Sequence, residues 1–391
     1  MPLLSPTIQR LQQALQANEP DALPAFWQEV AQRDIPLIEA ASDGDSLVTF
    51  VWRHDGAARN VAVIQDFGTD GIREHHMTRL PNSDLWILTR RLHADTRTTY
   101  QISPSTDDDR SVAGPYQLDP LNPKTYPGFL FEDGGTILFS LLELPDAPPL
   151  PWRAYQTLHA GSVALHRPFA DQRRLWLYTP AVTPPTSLPA LLVFDGRIYK
   201  DLLCLPQILD YLIETGAIPP IVALMVDNVD RSELHCQPAY AAFIAEQVIP
   251  WLCANAPVTS DPAQTVVLGS SSGGLGALYL ASQYGHIVGT VCAQSGWFRW
   301  MPEGDPAHHW LARQLASVPT LPLRVLLQVG NLETAQMADG GPSQLTANRH
   351  MRDTLAGRVA ALAYQEYSGG HDTSSLEAPL AQGLVALFGG Q

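Results

Sequence analysis

The sequence predicts an α/β domain preceded by an all-β sandwich domain with N-terminal helices. Three observations predict it. Helical spacing fills residues 5–34, short strand-like runs separated by polar turns fill 46–100, and apolar strands alternate with helices from about residue 160 onward. A chain of 391 residues is long enough for more than one such domain. The change of character places the boundary near 150, with helices plus sandwich over 1–150 and the α/β domain over 151–391.

Ile8, Leu11 and Leu15 recur on one helical face, then Phe26 and Val30 on the next, with Asp21 placed to cap the second helix. SLVTFVWRH, NVAVIQDF, LWILTRRL and TTYQISP are rich in β-branched and aromatic residues. Turns such as HDGAARN and LPNSD separate them, which is the rhythm of an antiparallel sandwich. STDDDR, LDPLNP and ELPDAPPLPW make 101–150 read as loops and a Pro-rich linker. SVALHRP and RRLWLYTP then read as an antiparallel pair. LPALLVFDG is a buried strand, LPQILDYLIETG an amphipathic helix stopping at Gly216, and PPIVALMVDN another strand. A helix YAAFIAEQVIPWLCAN precedes the strand–turn–helix TVVLGSSSGGLGALYLASQYG. IVGTVCAQSG and LRVLLQVG are further strands, so the sheet is parallel with helices on both faces.

Composition narrows the function classes. The net charge of −15 argues against nucleic-acid binding, because phosphate contacts need a basic face. Any anionic ligand needs a local cluster of Arg and Lys. Cys204, Cys236, Cys253 and Cys292 form no CxxC pair and no zinc template, and free thiols fit a reducing compartment. No leader or membrane-length apolar run is visible, so a cytoplasmic protein with no membrane partner is expected. Neither a metal site nor a resident cofactor is expected, and the oligomeric state is not indicated.

Gly269-Ser270-Ser271-Ser272-Gly273 fits G-x-S-x-G with Ser271 at its centre. It lies between an apolar strand and a helix, the setting of a hydrolase nucleophile elbow. The flanking glycines permit a strained residue whose hydroxyl rises above the sheet, while the helix N-terminus and the Ser272 N–H face an oxyanion. Gly274 and Gly276 let this helix approach neighbouring strands. A serine hydroxyl needs a base, and in this fold the order is serine, acid, histidine. His371, in the loop Gly369-Gly370-His371-Asp372 past the last strand, is the candidate base. Glu333, after LRVLLQVG, is the candidate acid, with Asp339 a rival in the same loop. Asp372 adjoins the histidine and points elsewhere in most loop geometries. The second oxyanion donor is the N–H of Gly196 or Arg197, in the turn after LLVF.

These residues belong to an ordered set that resembles the two-domain enterochelin (enterobactin) esterases along nearly the whole chain. Its N-terminal landmarks are Val48-Thr49-Phe50 with Trp52-Arg53, Asp84-Leu85-Trp86, and Asp119-Pro120-Leu121-Asn122-Pro123. Its C-terminal landmarks are LLVFDG, Asp227 with Arg231-Ser232-Glu233-Leu234, GSSSGG, AQSGWFRW and GGHD. The resemblance implies an α/β-hydrolase fold behind an immunoglobulin-like sandwich. It also implies a cytoplasmic serine esterase that opens tri-serine lactones carrying catecholates, usually as the ferric complex. By position it makes Ser271 the nucleophile, His371 the base and Glu333 the acid. It places Arg231 near the substrate and Trp297 along the pocket. Arg197, Lys200, Arg231 and Arg299 would supply charge for an anionic catecholate, and Trp297 and Trp300 flat walls. One departure stands out. After GGHD the family commonly continues with an apolar stretch and Trp-Arg, and here Thr373-Ser374-Ser375-Leu376-Glu377 follows. Two other readings stay open: an esterase acting on feruloyl or acetyl carbohydrate esters, and a siderophore-binding relative without catalysis.

Overall fold

The computed structural model describes residues 3–41, 43–53, 56–65, 75–110, 112–131, 134–181, 187–336 and 340–389. The chain divides into two compact units. Met1–Pro148 with Ser368–Ser375 forms the first, and Pro149–Tyr367 with Leu376–Gln391 the second.

The first unit opens with α1 (Pro6–Gln16) and α2 (Ala22–Val30). Among the described residues eight strands follow: β1 (Leu37–Ala40), β2 (Asp45–Arg53), β3 (Asn60–Ile64), β4 (Thr78–Arg79), β5 (Leu85–His93), β6 (Arg97–Ser105), β7 (Thr125–Leu130) and β8 (Thr136–Glu143). They form two antiparallel four-stranded sheets, ordered β1-β2-β5-β4 and β3-β6-β8-β7. Alternation along the strands decides which face each residue serves. Phe50 on β2 meets Tyr100 on β6 edge to face, ring centroids 4.8 Å apart, inside the sandwich. Its neighbour Val51 turns the other way, to join Leu85, Ile87 and the helix residues Ile8, Leu11, Phe26 and Val30. The two helices thus cover the outer face of the first sheet. Asp21 stands at the start of α2, yet its side chain makes no capping bond. The Asp119 landmark is pinned inside: its carboxylate accepts the Tyr100 hydroxyl at 2.7 Å, and burial raises its pKa. Asn122 donates to the Leu141 carbonyl. Strands β7 and β8 correct the reading of 101–150 as loops and linker. TILFSLLE carries no apolar–polar alternation, and TYPGFL contains Pro127 and Gly128 beside a register shift, so neither run shows the strand signature.

The second unit is built on one eight-stranded sheet. Its strands are β9 (Ser162–His166), β10 (Leu175–Thr179), β11 (Ala190–Val193), β12 (Val222–Val226), β13 (Thr265–Ser270), β14 (Thr290–Gln294), β15 (Leu321–Gly330) and β16 (Val359–Tyr367). The order is β16-β15-β14-β13-β11-β12-β10-β9. β10 runs antiparallel to both β9 and β12, and the remaining pairs are parallel. Helices α3 (Gly196–Asp201), α4 (Leu205–Glu214), α5 (Pro238–Phe243), α6 (Ile249–Asn255), α7 (Ser272–Tyr284), α8 (Trp310–Ala316), α9 (Gln344–Leu355) and α10 (Thr373–Phe388) follow in chain order. Apolar cores lie on both sides of the sheet, which is why its central strands are buried throughout. One core takes Leu376, Leu380, Leu384 and Phe388 from α10 together with Trp152. Beside it Glu377, fully buried, accepts the Trp152 indole N–H at 2.5 Å and the Arg153 guanidinium at 2.6 Å.

Candidate active site

Ser271 sits between β13 and α7 with φ 53° and ψ −118°, a backbone that non-glycine residues rarely adopt. Two bonds hold it there. Its N–H donates to the Gln294 carbonyl at 3.0 Å, and its carbonyl accepts the Trp297 N–H at 2.8 Å. Glycine is obligatory at 269, because a Cβ there would stand 2.4 Å from the Gly273 backbone. Ser272 begins the thirteen-residue α7, so its N–H is one of the open amides at a positive helix end. Gly274 does bring α7 close to the β14 end, where a Cβ would lie 3.0 Å from Gly296. Gly276 instead faces Leu234, in a short helical turn rather than a strand.

The turn after β11 adjoins this elbow. Asp195 is left-handed (φ 53°), and a Cβ on Gly273 would lie 3.1 Å from its carboxylate. Asn228 donates to that carboxylate at 2.6 Å and Arg231 approaches it at 3.4 Å. Burial raises the Asp195 pKa, and Arg231 and Asn228 oppose the rise. Gly196 and Arg197 open α3 directly after Asp195. Gly196 packs on β12 so tightly that a Cβ would sit 2.5 Å from the Met225 carbonyl carbon.

Glu333 lies in the loop after β15 and is 3% exposed. Its carboxylate accepts the Ser295 hydroxyl at 2.5 Å and the Gly330 N–H at 2.8 Å. Asp339, the rival acid, lies outside the described residues. His371 is half-buried in the segment Ser368–Ser375 of the first unit. The Asp372 carboxylate beside it is fully engaged. It accepts Thr98 Oγ1 at 2.8 Å, Ser374 N–H at 3.0 Å and Ser375 N–H at 3.1 Å, as the cap of the helix that starts at Thr373.

The candidate binding residues have partners of their own. Arg231 is exposed but shares Asp195, and Arg197 and Lys200 both pair with Asp201. Trp297 and Arg299 follow β14, and Trp297 is half-buried. Sequence reasoning missed His235. Its Nε2 lies 3.3 Å from Ser272 Oγ, and its ring meets Trp297 edge to face at 4.9 Å. Burial and Arg231 lower its pKa, which favours the neutral ring. Its place before Ser271 in the chain gave no local signal. Among the described residues no His, Cys, Asp or Glu cluster is arranged to hold a metal, and no helix is long and apolar enough to cross a membrane.

Comparison with known proteins agrees with this layout. Residues 168–387 match the family described as "Putative esterase", and residues 47–153 match the enterochelin esterase N-terminal family. The chain is 28% identical over 425 residues to the iron(III) enterobactin esterase of Dickeya dadantii, covering 94% of this chain and 93% of that protein. It is 28% identical over 418 residues to the iron(III) salmochelin esterase of Escherichia coli, covering 98% of each. The crystal structure of the Shigella flexneri enterobactin esterase in the presence of enterobactin has the same fold. Its TM-score is 0.71 at 24% identity, over 93% of this chain and 97% of that one. The chain therefore belongs to the enterochelin esterase family and is a carboxylic ester hydrolase.

Proposed function

We propose that this esterase hydrolyses the seryl esters of a catecholate siderophore, a tri-serine lactone taken up as its ferric complex, and so releases iron in the cytoplasm. The observation that carries the reaction is the strained backbone of Ser271 at the mouth of α7. Support for the substrate class comes from the likeness, over nearly the whole chain, to proteins named as iron(III) siderophore esterases.

In this reading Ser271 Oγ attacks the ester carbonyl carbon while His371 takes its proton. The Ser272 N–H and the Gly196 or Arg197 N–H hold the oxyanion. Collapse breaks the ester C–O bond, and His371 returns the proton to the departing serine oxygen. Water, deprotonated by His371, then hydrolyses the acyl-serine and frees Ser271. Glu333 orients the imidazole and stabilises its charged form. Trp297, Arg231 and Arg299 line the substrate's path. Iron is cargo and takes no part in these steps.

The test is a time course with purified protein and the catecholate trilactone, with and without ferric iron, read by mass spectrometry. Stepwise appearance of linear trimer, dimer and monomer is the expected result. An inert lactone alongside rapid turnover of a simple aryl ester would overturn the substrate while keeping Ser271.

A further inference from the structure

The outer faces of the two sandwich sheets are treated differently. Helices α1 and α2 cover the first. On the second sheet, Tyr100 points inward to Phe50, so its strand neighbours Thr99 and Gln101 project outward. Cross-strand register puts Ile137 beside Phe129 on β7 and β8, and Phe139 continues their face. These residues should be polar on a solvated sheet, yet Phe129 is 50% and Ile137 39% exposed. They surround a cavity of about 370 Å³, with Asp372 as one wall. That volume is within the range of small-molecule sites. Glycine at 128 makes room for the floor: a Cβ there would fall 1.8 Å from the Phe139 ring.

Two polar groups converge on this apolar basin. Among the described residues the Thr99 hydroxyl and the Gln101 amide have no hydrogen-bond partner, and both residues line the cavity. The Asp372 carboxylate is spent on Thr98, Ser374 and Ser375. Among the described residues no Lys, Arg or His lines the cavity. Its wall residue directly follows His371, one peptide unit of about 3.8 Å away.

We propose that this cavity is an aryl subsite for a neutral hydroxylated aromatic ring, one arm of the substrate not coordinated to iron. The inference rests on the siderophore reading above. Apolar walls take the ring faces, and the ring hydroxyls pair with Thr99 and Gln101. With a carboxylate wall and no cation among its described lining residues, the cavity disfavours the anionic, iron-bound catecholate. The chain therefore handles the iron-free lactone through a contact that the ferric complex does not use.

The test compares the full-length protein with a Phe129→Ala/Ile137→Ala variant. Both side chains are exposed, so the fold should persist, and equal thermal midpoints check this. The KM for iron-free lactone should rise roughly tenfold, the effect of losing one aromatic wall. The KM for the ferric complex, and kcat/KM for p-nitrophenyl acetate, should stay within about twofold. Calorimetric binding of dihydroxybenzamide should weaken in step. Unchanged KM for iron-free lactone together with unchanged dihydroxybenzamide binding overturns the subsite. So does a dimer of the parent protein that the substitutions dissolve, which would make the face a contact between copies. If the parent turns over p-nitrophenyl acetate but leaves the lactone intact, the siderophore reading fails and dihydroxybenzamide binding alone decides the cavity.

Discussion

The Ser295 hydroxyl donates to the Glu333 carboxylate at 2.5 Å, from a backbone held at φ 45°. Ser295 directly follows β14, and the Tyr367 hydroxyl at the end of β16 lies 3.0 Å from the same Oγ. Gln344 on α9 donates to the Ser295 carbonyl. Glu333 is thus held by Ser295 after β14 and by Gly330 at the end of β15, with Tyr367 of β16 behind Ser295. Removing the hydroxyl should loosen the proposed acid without touching substrate. Ser295→Gly relieves the left-handed strain and still lacks the hydroxyl. We expect kcat to fall about tenfold in both Ser295→Gly and Ser295→Ala with KM nearly constant, and Ser295→Gly to be the more stable of the two. Equal kcat in parent and both variants, in steady-state assays, would remove the role.

Ser271→Ala should lower kcat at least about a thousandfold while dihydroxybenzamide binding persists. Glu333→Gln should cost roughly a hundredfold or more. Steady-state kinetics beside calorimetry separates these from loss of fold.

Asp372→Ala removes the cap of α10 and leaves the buried Thr98 hydroxyl with only the distant Thr99 carbonyl as acceptor. Urea unfolding should show a loss of about 2 kcal/mol, with Asp372→Asn intermediate. Activity should fall too, since the loop carrying His371 loses its anchor.

His75 should make stability fall in acid. Burial, with Arg90 beside it, lowers its pKa from 6.5 to about 4. The unfolded chain binds a proton below about 6.5, and the folded chain resists until about 4. Stability is therefore complete above the higher value and drains as pH falls through this window. At pH 5 the loss is about 2 kcal/mol. His75→Gln should flatten that slope when urea midpoints at pH 7 and pH 5 are compared.

How much of this was legible in sequence follows the range of each constraint. The elbow was readable because Gly269 and Gly273 meet within one turn. Strands β11 to β15 were readable because buried parallel strands are continuous apolar runs, whereas β9 and β10 showed as an antiparallel pair at the sheet edge. Strands β7 and β8 were not, since Pro127 and a run without alternation hide them. His235 reaches Ser272 only through the tertiary fold. Asp21 illustrates the converse: a good capping residue stood in the right place and made no cap.

The clasp of Trp152 and Arg153 on Glu377 dictates an order of assembly. The residues that open the second unit wait for a partner 225 residues further on. The sandwich waits as well, because Thr98 and the Arg97 carbonyl find Asp372 and Ser375 only 274 and 278 residues further on. On the ribosome neither unit can finish before the start of α10 has left the exit tunnel. The nascent protein therefore carries two open cores at once, and a chain released early would leave Trp152 and its apolar neighbours exposed to aggregation.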